Sequence, residues 1–459
     1  MTNPRDFAFR ILRRWGVLQE PPFLPERGDA VWGELQEQHR GSAFELLTGV
    51  TRWRGALDAI IAGRLRQPLE TLDVPVRAAL WLGAYQLLFQ ETADYAAVDT
   101  TVSMVRAAVP AAGGLVNAVL RGITRLMPRR MEVKNIPAGQ RLSRRSLEID
   151  FQTRLFFNAD IFPDPERARG PHLAAVRSHP LAFVEALRKQ FDDATAGAIL
   201  LRNNLRPVIT LRVDADALDV PVSAGLVAHD SAERFLVAAG GWNDVIEGLV
   251  ARGKLSPQDP TAAKPVRRVA AMAAAGEIAA PRRVLDLCAG LGTKTMQLAR
   301  AFPDAAVVAT DVEADKLKRL EARAKQMGAG GKNVETREIA EVEKGGKFDL
   351  VLVDVPCSNT GVMSRRVQSR WRWPTLDHAE LAKLQQKLIG QAVGLTAAGG
   401  SVVYSTCSIM RDENQERVAK AVAEVEGVKV AAEEATVPSL DVGAAGMFDG
   451  GYFAVLKAQ

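Results

Sequence analysis

Two cysteines, Cys357 in "VLVDVPCSNTG" and Cys407 in "VVYSTCSIM", each stand just past an apolar run in a chain that has only three. Such runs read as strands of a parallel sheet buried on both faces, and neighbouring strands lie about 5 Å apart. If the two strands are neighbours, both thiols face one crevice at the carboxyl edge of the sheet. Taken singly, a cysteine is more often a small buried hydrophobe than a nucleophile. As a pair at one sheet edge, the functional reading is the better one. Asp354 and Pro356 come just before the first thiol, although plain turn chemistry could also place an acid and a proline there.

An earlier strand, "RRVLDLC", opens into "DLCAGLGTKT". Backbone N–H groups of a Gly-rich turn at that edge face a ligand, and Gly290 and Gly292 let the chain approach it closely. Asp311 ends the next strand about 20 residues on, where an acid accepts hydrogen bonds from ribose hydroxyls. An adenosine-containing cofactor is therefore expected. The dinucleotide fingerprint requires a third glycine where Thr295 stands, and the phosphate-loop pattern requires Gly-Lys-Ser/Thr where Thr293 precedes Lys294. S-adenosyl-L-methionine, which has no pyrophosphate, suits this looser loop. The competing reading is a tight strand-to-helix turn with no ligand. Cys288 belongs to the loop and reads as structural.

Two thiols, an acid and a methyl-donor site suit one reaction well. Cytosine C5 is a poor nucleophile until a thiolate adds at C6 and makes the ring an enamine, which splits a hard step into easier ones. An acid at N3 or N4 polarises the ring, a role open to Asp354, and a second thiol can act as base or assist release. Between the cysteines, "SRRVQSRWRW" alternates Arg365, Arg366, Arg370 and Arg372 with Trp371 and Trp373. Arginines contact phosphates and tryptophans stack on unpaired bases, so this stretch is expected to bind nucleic acid.

The elements that must position these residues begin near 282, where strands and helices alternate as in a doubly wound domain. Residues 1 to about 127 read as helices throughout, a small bundle. The stretch 121–145 carries eight Lys or Arg against one Glu and holds two prolines; it reads as a solvated linker or as a phosphate-binding seam. "PVITLRVDA" alternates like a strand, and "GKLSPQDPTAAKPVRR" reads as loop. The expected domains are 1–140, helical; 141–170, a basic linker; 171–270, mixed α and β; and 271–459, catalytic. A chain of 459 residues that is 47% hydrophobic and 25% charged has a globular composition. It contains no apolar run of the roughly 18–20 residues a membrane span needs. Unevenly spaced cysteines point to a reducing cytoplasm, and five scattered histidines offer no metal-site spacing.

The motifs "DLCAGLGTKT", "DVPCSNTG" and "YSTCSIMRDENQE" resemble those of the bacterial Sun-type, RsmB-like ribosomal RNA cytosine-5 methyltransferases. The resemblance runs over nearly the whole chain, since "LWLGAYQLLF" and "GGLVNAVLRG" are similar to that family's NusB-like helical domain. It implies an all-α NusB-like bundle followed by a Rossmann-like methyltransferase domain. It also implies methylation of cytosine C5 in small-subunit (16S) rRNA, with Cys407 adding to C6 and Cys357 assisting release. Cys288, Ala289, Gly290, Leu291, Gly292, Thr293 and Lys294, with Asp311, Glu338 and Asp354, are implied to surround S-adenosylmethionine. The chain departs from the usual pattern in four places. Leu291 to Lys294 replaces Pro-Gly-Gly-Lys, Asn359 replaces glycine, Glu338 replaces aspartate, and "RRVQSRWRW" lacks Asn-Pro-Asp. A cytoplasmic monomer with an rRNA partner is expected. Competing readings are a non-catalytic RNA-binding assembly factor, a DNA cytosine methyltransferase with Cys357 as nucleophile, and a nicotinamide oxidoreductase.

Overall fold

The segment Val74–Phe89 carries one charge, Arg77, in 16 residues. Apolar on every side, it is stable as a helix only when other helices cover it. The structure, a computed structural model, describes residues 3–17, 24–25, 29–90, 92–135, 143–214, 224–327, 331–440 and 443–458. It divides into two units, 1–206 with 363–376, and 207–362 with 377–459. Among the described residues the first unit opens with α1 (Pro4–Val17), α2 (Glu37–Ala62), α3 (Val74–Phe89), α4 (Asp94–Ala108) and α5 (Gly113–Thr124). The apolar α3 packs on the other four, and Leu47, Leu57, Ile60, Leu80, Val116 and Leu120 fill the core. At Gly83 a Cβ would lie 2.7 Å from Leu120 Cδ1, so any larger residue there would force the Leu120 side chain to shift where α3 meets α5.

The stretch after α5 is not a linker. β1 (Arg129–Glu132), β2 (Ser146–Glu148) and β3 (Thr153–Phe156) form an antiparallel sheet in the order β1-β3-β2. Two of these strands lie within 141–170, held by buried Leu147 and Leu155 and by a buried Glu148 carboxylate clasped by Arg154 and Arg177. Arg144 and Arg145 pair with Asp160 at 3.1 and 2.6 Å, while β1 keeps Arg129 and Arg130 exposed. Residues 136–142 of the basic stretch lie outside the described residues. The helices α6 (Arg169–Val176), α7 (Leu181–Gln190) and α8 (Asp193–Asn204) also belong to this unit. α6 packs on α2, and the Gly55 N–H donates to Ser178 Oγ at 2.7 Å. Residues 1–206 therefore form one compact unit with 363–376, and the strands within 141–170 belong to it.

The second unit starts with a four-stranded antiparallel sheet: β4 (Thr210–Val213), β5 (Leu226–Ala228), β6 (Phe235–Ala238) and β7 (Leu255–Pro257), in the order β5-β6-β4-β7. It packs with α9 (Asp244–Ala251) around Leu211, Ile246 and Leu249. The expected loop that follows is largely helix, α10 (Pro260–Ala274). Asp259 caps it, accepting the Thr261 N–H at 2.9 Å, and Pro260 takes the first position, where a missing N–H costs nothing.

The seven-stranded sheet comprises β8 (Arg283–Asp286), β9 (Ala306–Ala309), β10 (Val334–Thr336), β11 (Phe348–Asp354), β12 (Thr396–Thr406), β13 (Val428–Thr436) and β14 (Gly451–Ala458). Its order is β10-β9-β8-β11-β12-β14-β13, with the first five parallel and β14 antiparallel to both neighbours. α11 (Thr293–Ala301), α12 (Ala314–Gln326) and α13 (Ile339–Lys344) follow the first three strands. Strand order reverses between β8 and β11, so their carboxyl ends flank the crevice where open α/β sheets bind ligands. Among the described residues no helix is long and apolar enough to cross a membrane.

Residues 363–376 return to the first unit, and here the structure corrects the arginine assignments. Arg370 is wholly buried. Its guanidinium donates to the carbonyls of Arg52 (3.0 Å), Asn203 (2.7 Å), Ser178 (3.3 Å) and Met363 (3.3 Å) and to Asn204 Oδ1. Burial pulls its pKa well down. Arg370 is thus a structural clamp, with both Nη groups held by buried carbonyl oxygens, and it cannot reach a phosphate. Trp371 donates to Thr51 O at 2.8 Å and lies with Trp15 and Trp81 around the Arg54 guanidinium, at 5.3, 4.3 and 4.8 Å. Arg365 and Arg372 are half-buried and Arg366 is exposed. Replacing a group that satisfies five buried acceptors is costly. Arg370→Leu is expected to lower stability by at least about 3 kcal/mol, and Arg366→Ala by no more than about 0.5 kcal/mol, as read from urea midpoints.

Candidate active site

β11 and β12 pair in parallel with Asp354 opposite Ser405, so the chain runs off both strands side by side. Cys357 and Cys407 follow, with Sγ atoms 2.8 Å apart. Both are free thiols, and the gap exceeds the ~2.05 Å of a disulfide bond. What holds the two loops is a carboxylate that the sequence reading missed. Glu413 is buried and accepts from the Ser358 N–H (2.8 Å), the Ser358 hydroxyl, the Ser408 hydroxyl (2.6 Å) and Gln385 Nε2 (3.1 Å). Gln385 Nε2 also donates to Pro356 O at 3.0 Å. Nothing in "RDENQE" marks this acid among its polar neighbours. Asn414 secures the second loop, accepting from the Thr406 hydroxyl at 2.6 Å and donating to Ser408 O at 2.9 Å. The hydrogen bond with Cys407, then burial, hold the Cys357 thiol well above its usual pKa.

At the end of β8 the chain makes its Gly-rich turn. Gly292 has φ +80°, and a Cβ there would meet Leu320 Cγ at 2.6 Å. The Gly290 N–H donates to Asp311 Oδ2 at 2.8 Å, and Asp311 Oδ1 accepts the Glu313 N–H at 3.0 Å. Arg323 Nη1 donates to Leu291 O and Thr293 Oγ1, both at 3.3 Å, so α12 braces the part of the loop that departs from the usual pattern. Lys294, in the first turn of α11, reaches across to Asp354 Oδ2 at 2.6 Å, while the Ser405 hydroxyl donates to Oδ1 at 2.8 Å. Burial pulls the Lys294 ammonium down, but the Asp354 charge and hydrogen bond outweigh it and leave it above its ordinary pKa.

The other expected site residues divide. Cys288 packs against the core, and burial pushes its thiol up to about 12, which fits a structural role. Glu338 stands just past β10 with an exposed side chain, at the same carboxyl edge as Asp311. Beneath the turn lies Asp286, buried at the end of β8. Its Oδ2 accepts the Thr295 hydroxyl at 2.7 Å, while Oδ1 has no partner. Among the described residues no group of three or more His, Cys, Asp or Glu side chains could hold a metal.

A doubly wound sheet with a glycine turn and acids at its switch point defines a Rossmann-like domain, here preceded by a helical bundle. A family model described as 16S rRNA methyltransferase RsmB/F matches residues 277–447, and the NusB family model matches residues 2–125. Ribosomal RNA small subunit methyltransferase B of Pseudomonas syringae pv. tomato is 30% identical over 441 residues, spanning 93% of this chain and 88% of that protein. The protein of the same name from Pseudomonas putida is 29% identical, spanning 93% and 90%. The solved structure of PH0851 shares the fold, with a TM-score of 0.69, 18% identity and 99% of each chain covered. The chain belongs to the RsmB/F family of methyltransferases.

Burial, above all, raises the Asp286 carboxyl to about 7, against about 3.9 in an unfolded chain. The folded state therefore holds a proton that the unfolded state releases. That contribution to stability is full below about pH 4 and is lost as pH rises through about 7. Three pH units at about 1.4 kcal/mol each set an upper bound near 4 kcal/mol. Asp286→Asn keeps the amide neutral at every pH. Relative to wild type, its thermal midpoint should gain steadily from pH 4 to pH 8, and a constant difference across that range would refute the assignment.

Proposed function

We propose that this protein methylates C5 of cytosine in small-subunit (16S) rRNA with S-adenosyl-L-methionine, through a covalent bond between Cys407 and C6. The observation that carries this reading is the pair of free thiols 2.8 Å apart beside the Lys294–Asp354 pair. The names of the Pseudomonas relatives support an rRNA substrate. Residues of the turn fit the cofactor. Gly290 has φ +54° and open space where a side chain would stand, and Asp311 stands just past β9 with Val312 beside it, 94% exposed. Cys288 to Lys294, Asp311, Glu338 and Asp354 would hold it. When bound, S-adenosylmethionine supplies a methyl group on a sulfonium.

The protein's own groups do the rest. As the Cys407 sulfur bonds to C6, the C5–C6 π electrons shift toward N3, and the thiol proton is balanced by protonation there, with Asp354 as relay. C5 is then electron-rich and takes the methyl group. To finish, the C5 proton leaves, N3 gives up its proton and the C6–S bond breaks. Cys357 would protonate the departing sulfur and take the C5 proton in exchange, so the one net proton released is the proton that N3 gives up. The raised pKa of Cys357 favours this release role over that of nucleophile, because the thiolate is the attacking form. Arg365, Arg366 and Arg372, with Arg129 and Arg130 on the NusB-like unit, would contact phosphates. Arg370 has no part in that. A reducing cytoplasm and a monomer go with this reading.

Covalent trapping tests it. Wild type, Cys357→Ala, Cys407→Ala and the double variant are mixed with unmodified small-subunit rRNA and methyl-labelled cofactor, then run on a denaturing gel. A labelled protein–RNA adduct with Cys357→Ala alone, and no methylation by Cys407→Ala, is the expected result. An adduct that requires Cys357 would exchange the two roles. RNA bound by wild type without methyl transfer would point to an assembly factor.

A further inference from the structure

We infer that Asn359 is a positioning residue for the Cys407 thiol, an inference that rests on Cys407 being the nucleophile of the reaction proposed above. Among the described residues Asn359 is one of four non-glycine positions with positive φ, at +60°. That conformation costs most side chains about 1–2 kcal/mol, and asparagine is among the few that visit it routinely. Glycine would be the unstrained choice. The side chain present there is put to use. Nδ2 donates to Cys357 O at 3.0 Å, and Oδ1 accepts from Cys407 Sγ at 3.3 Å. One amide group thus touches both cysteine residues.

The orientation of that amide follows from its partners. A carbonyl oxygen can only accept, so Cys357 O requires the nitrogen side. The oxygen then faces Cys407, and the Cys407 S–H points at it. A lone pair of Cys407 sulfur is left for the Cys357 thiol 2.8 Å away. The three groups form a directed chain, Cys357 S–H to Cys407 S–H to Asn359 Oδ1. The turn that carries Asn359 is fixed on both sides. Ser358 is bound to Glu413, the Thr360 and Ser408 hydroxyls lie 2.9 Å apart, and the Gly361 N–H donates to Cys407 O at 2.9 Å. A thiol turned away from C6 loses its near-attack geometry, and small misplacements of a reacting group carry large rate penalties. Asn359 removes that freedom.

Asn359→Gly separates this role from a structural one, because glycine accepts φ +60° without strain and the fold should survive. Single-turnover formation of the protein–RNA adduct is measured in the Cys357→Ala background, alongside thermal unfolding. With Asn359→Gly the rate at saturating RNA is expected to fall about tenfold, the scale of a thiol no longer held in one orientation for attack. The RNA concentration for half-maximal rate should stay within about twofold, and the thermal midpoint should hold or rise. An unchanged adduct rate overturns the inference while leaving Cys407 as nucleophile. A lowered midpoint with an unchanged rate per folded molecule also overturns it, in favour of a purely structural side chain. Methylation that survives Cys407→Ala removes the underlying reading and this inference with it.

Discussion

The buried carboxylate of Glu413 is the constraint on which the active edge of the sheet depends. Leaving a charge of that kind inside the protein without hydrogen-bond partners is among the most expensive things a fold can do. Here the donors come from three places: the loop after β11 through Ser358, the loop after β12 through Ser408, and the helix His378–Leu395 through Gln385. Neither cysteine loop can move away without stranding the charge. Two loops that parallel pairing brings to neighbouring positions are thereby locked, and thiols that need only be near each other are held 2.8 Å apart. The Tyr404 hydroxyl, donating to Glu413 O at 2.6 Å, fixes the carboxylate's own backbone from inside β12.

A second clasp crosses the switch point. Lys294 comes from the first turn of α11, just after β8, and Asp354 from the end of β11, the strand that neighbours β8. The pair joins the loop suited to the cofactor to the strand that leads into Cys357. Because each partner is oriented by other contacts, Asp354 through Ser405 and Lys294 through the first turn of α11, the ion pair fixes distances as well as charge. Arg323 does comparable work on the outer side, where Leu291 and Thr293 stand in place of the more usual proline and glycine. The departure from the pattern therefore brings its own brace.

How much of this could be read in advance depended on whether a signal was periodic or only polar. The strands that lead to the thiols announce themselves because burial on both faces demands unbroken apolar runs, whereas their pairing could be posed only as a condition. Polarity gives no comparable signal. A run of arginines looks the same whether each faces water or, like Arg370, ends on buried carbonyls, because solvent and backbone oxygens satisfy a guanidinium alike. The basic stretch before residue 146 read as linker or phosphate-binding seam for the same reason, while Arg144 and Arg145 are anchored on Asp160. Prolines misled near 260, where Pro260 starts a helix. Glu413 could not be found at all, since its environment is assembled from three separate segments, with partners 5, 28 and 55 residues away.

Cys357 and Cys407 are chemically identical, so any difference in role has to come from their surroundings. The structure supplies two. The first is the Asn359 amide, which accepts from Cys407 and so leaves Cys357 as the donor between the two thiols. The second is its consequence, since that bond above all holds the Cys357 proton in place. A group that keeps its proton is poorly suited to attack and well suited to return a proton to a departing sulfur. The same contact that raises Cys357 leaves Cys407 with an acceptor on one side and a donor on the other, an environment that orients the sulfur without enclosing it. Two equivalent side chains at the ends of two equivalent strands thus become unlike partners through their neighbours.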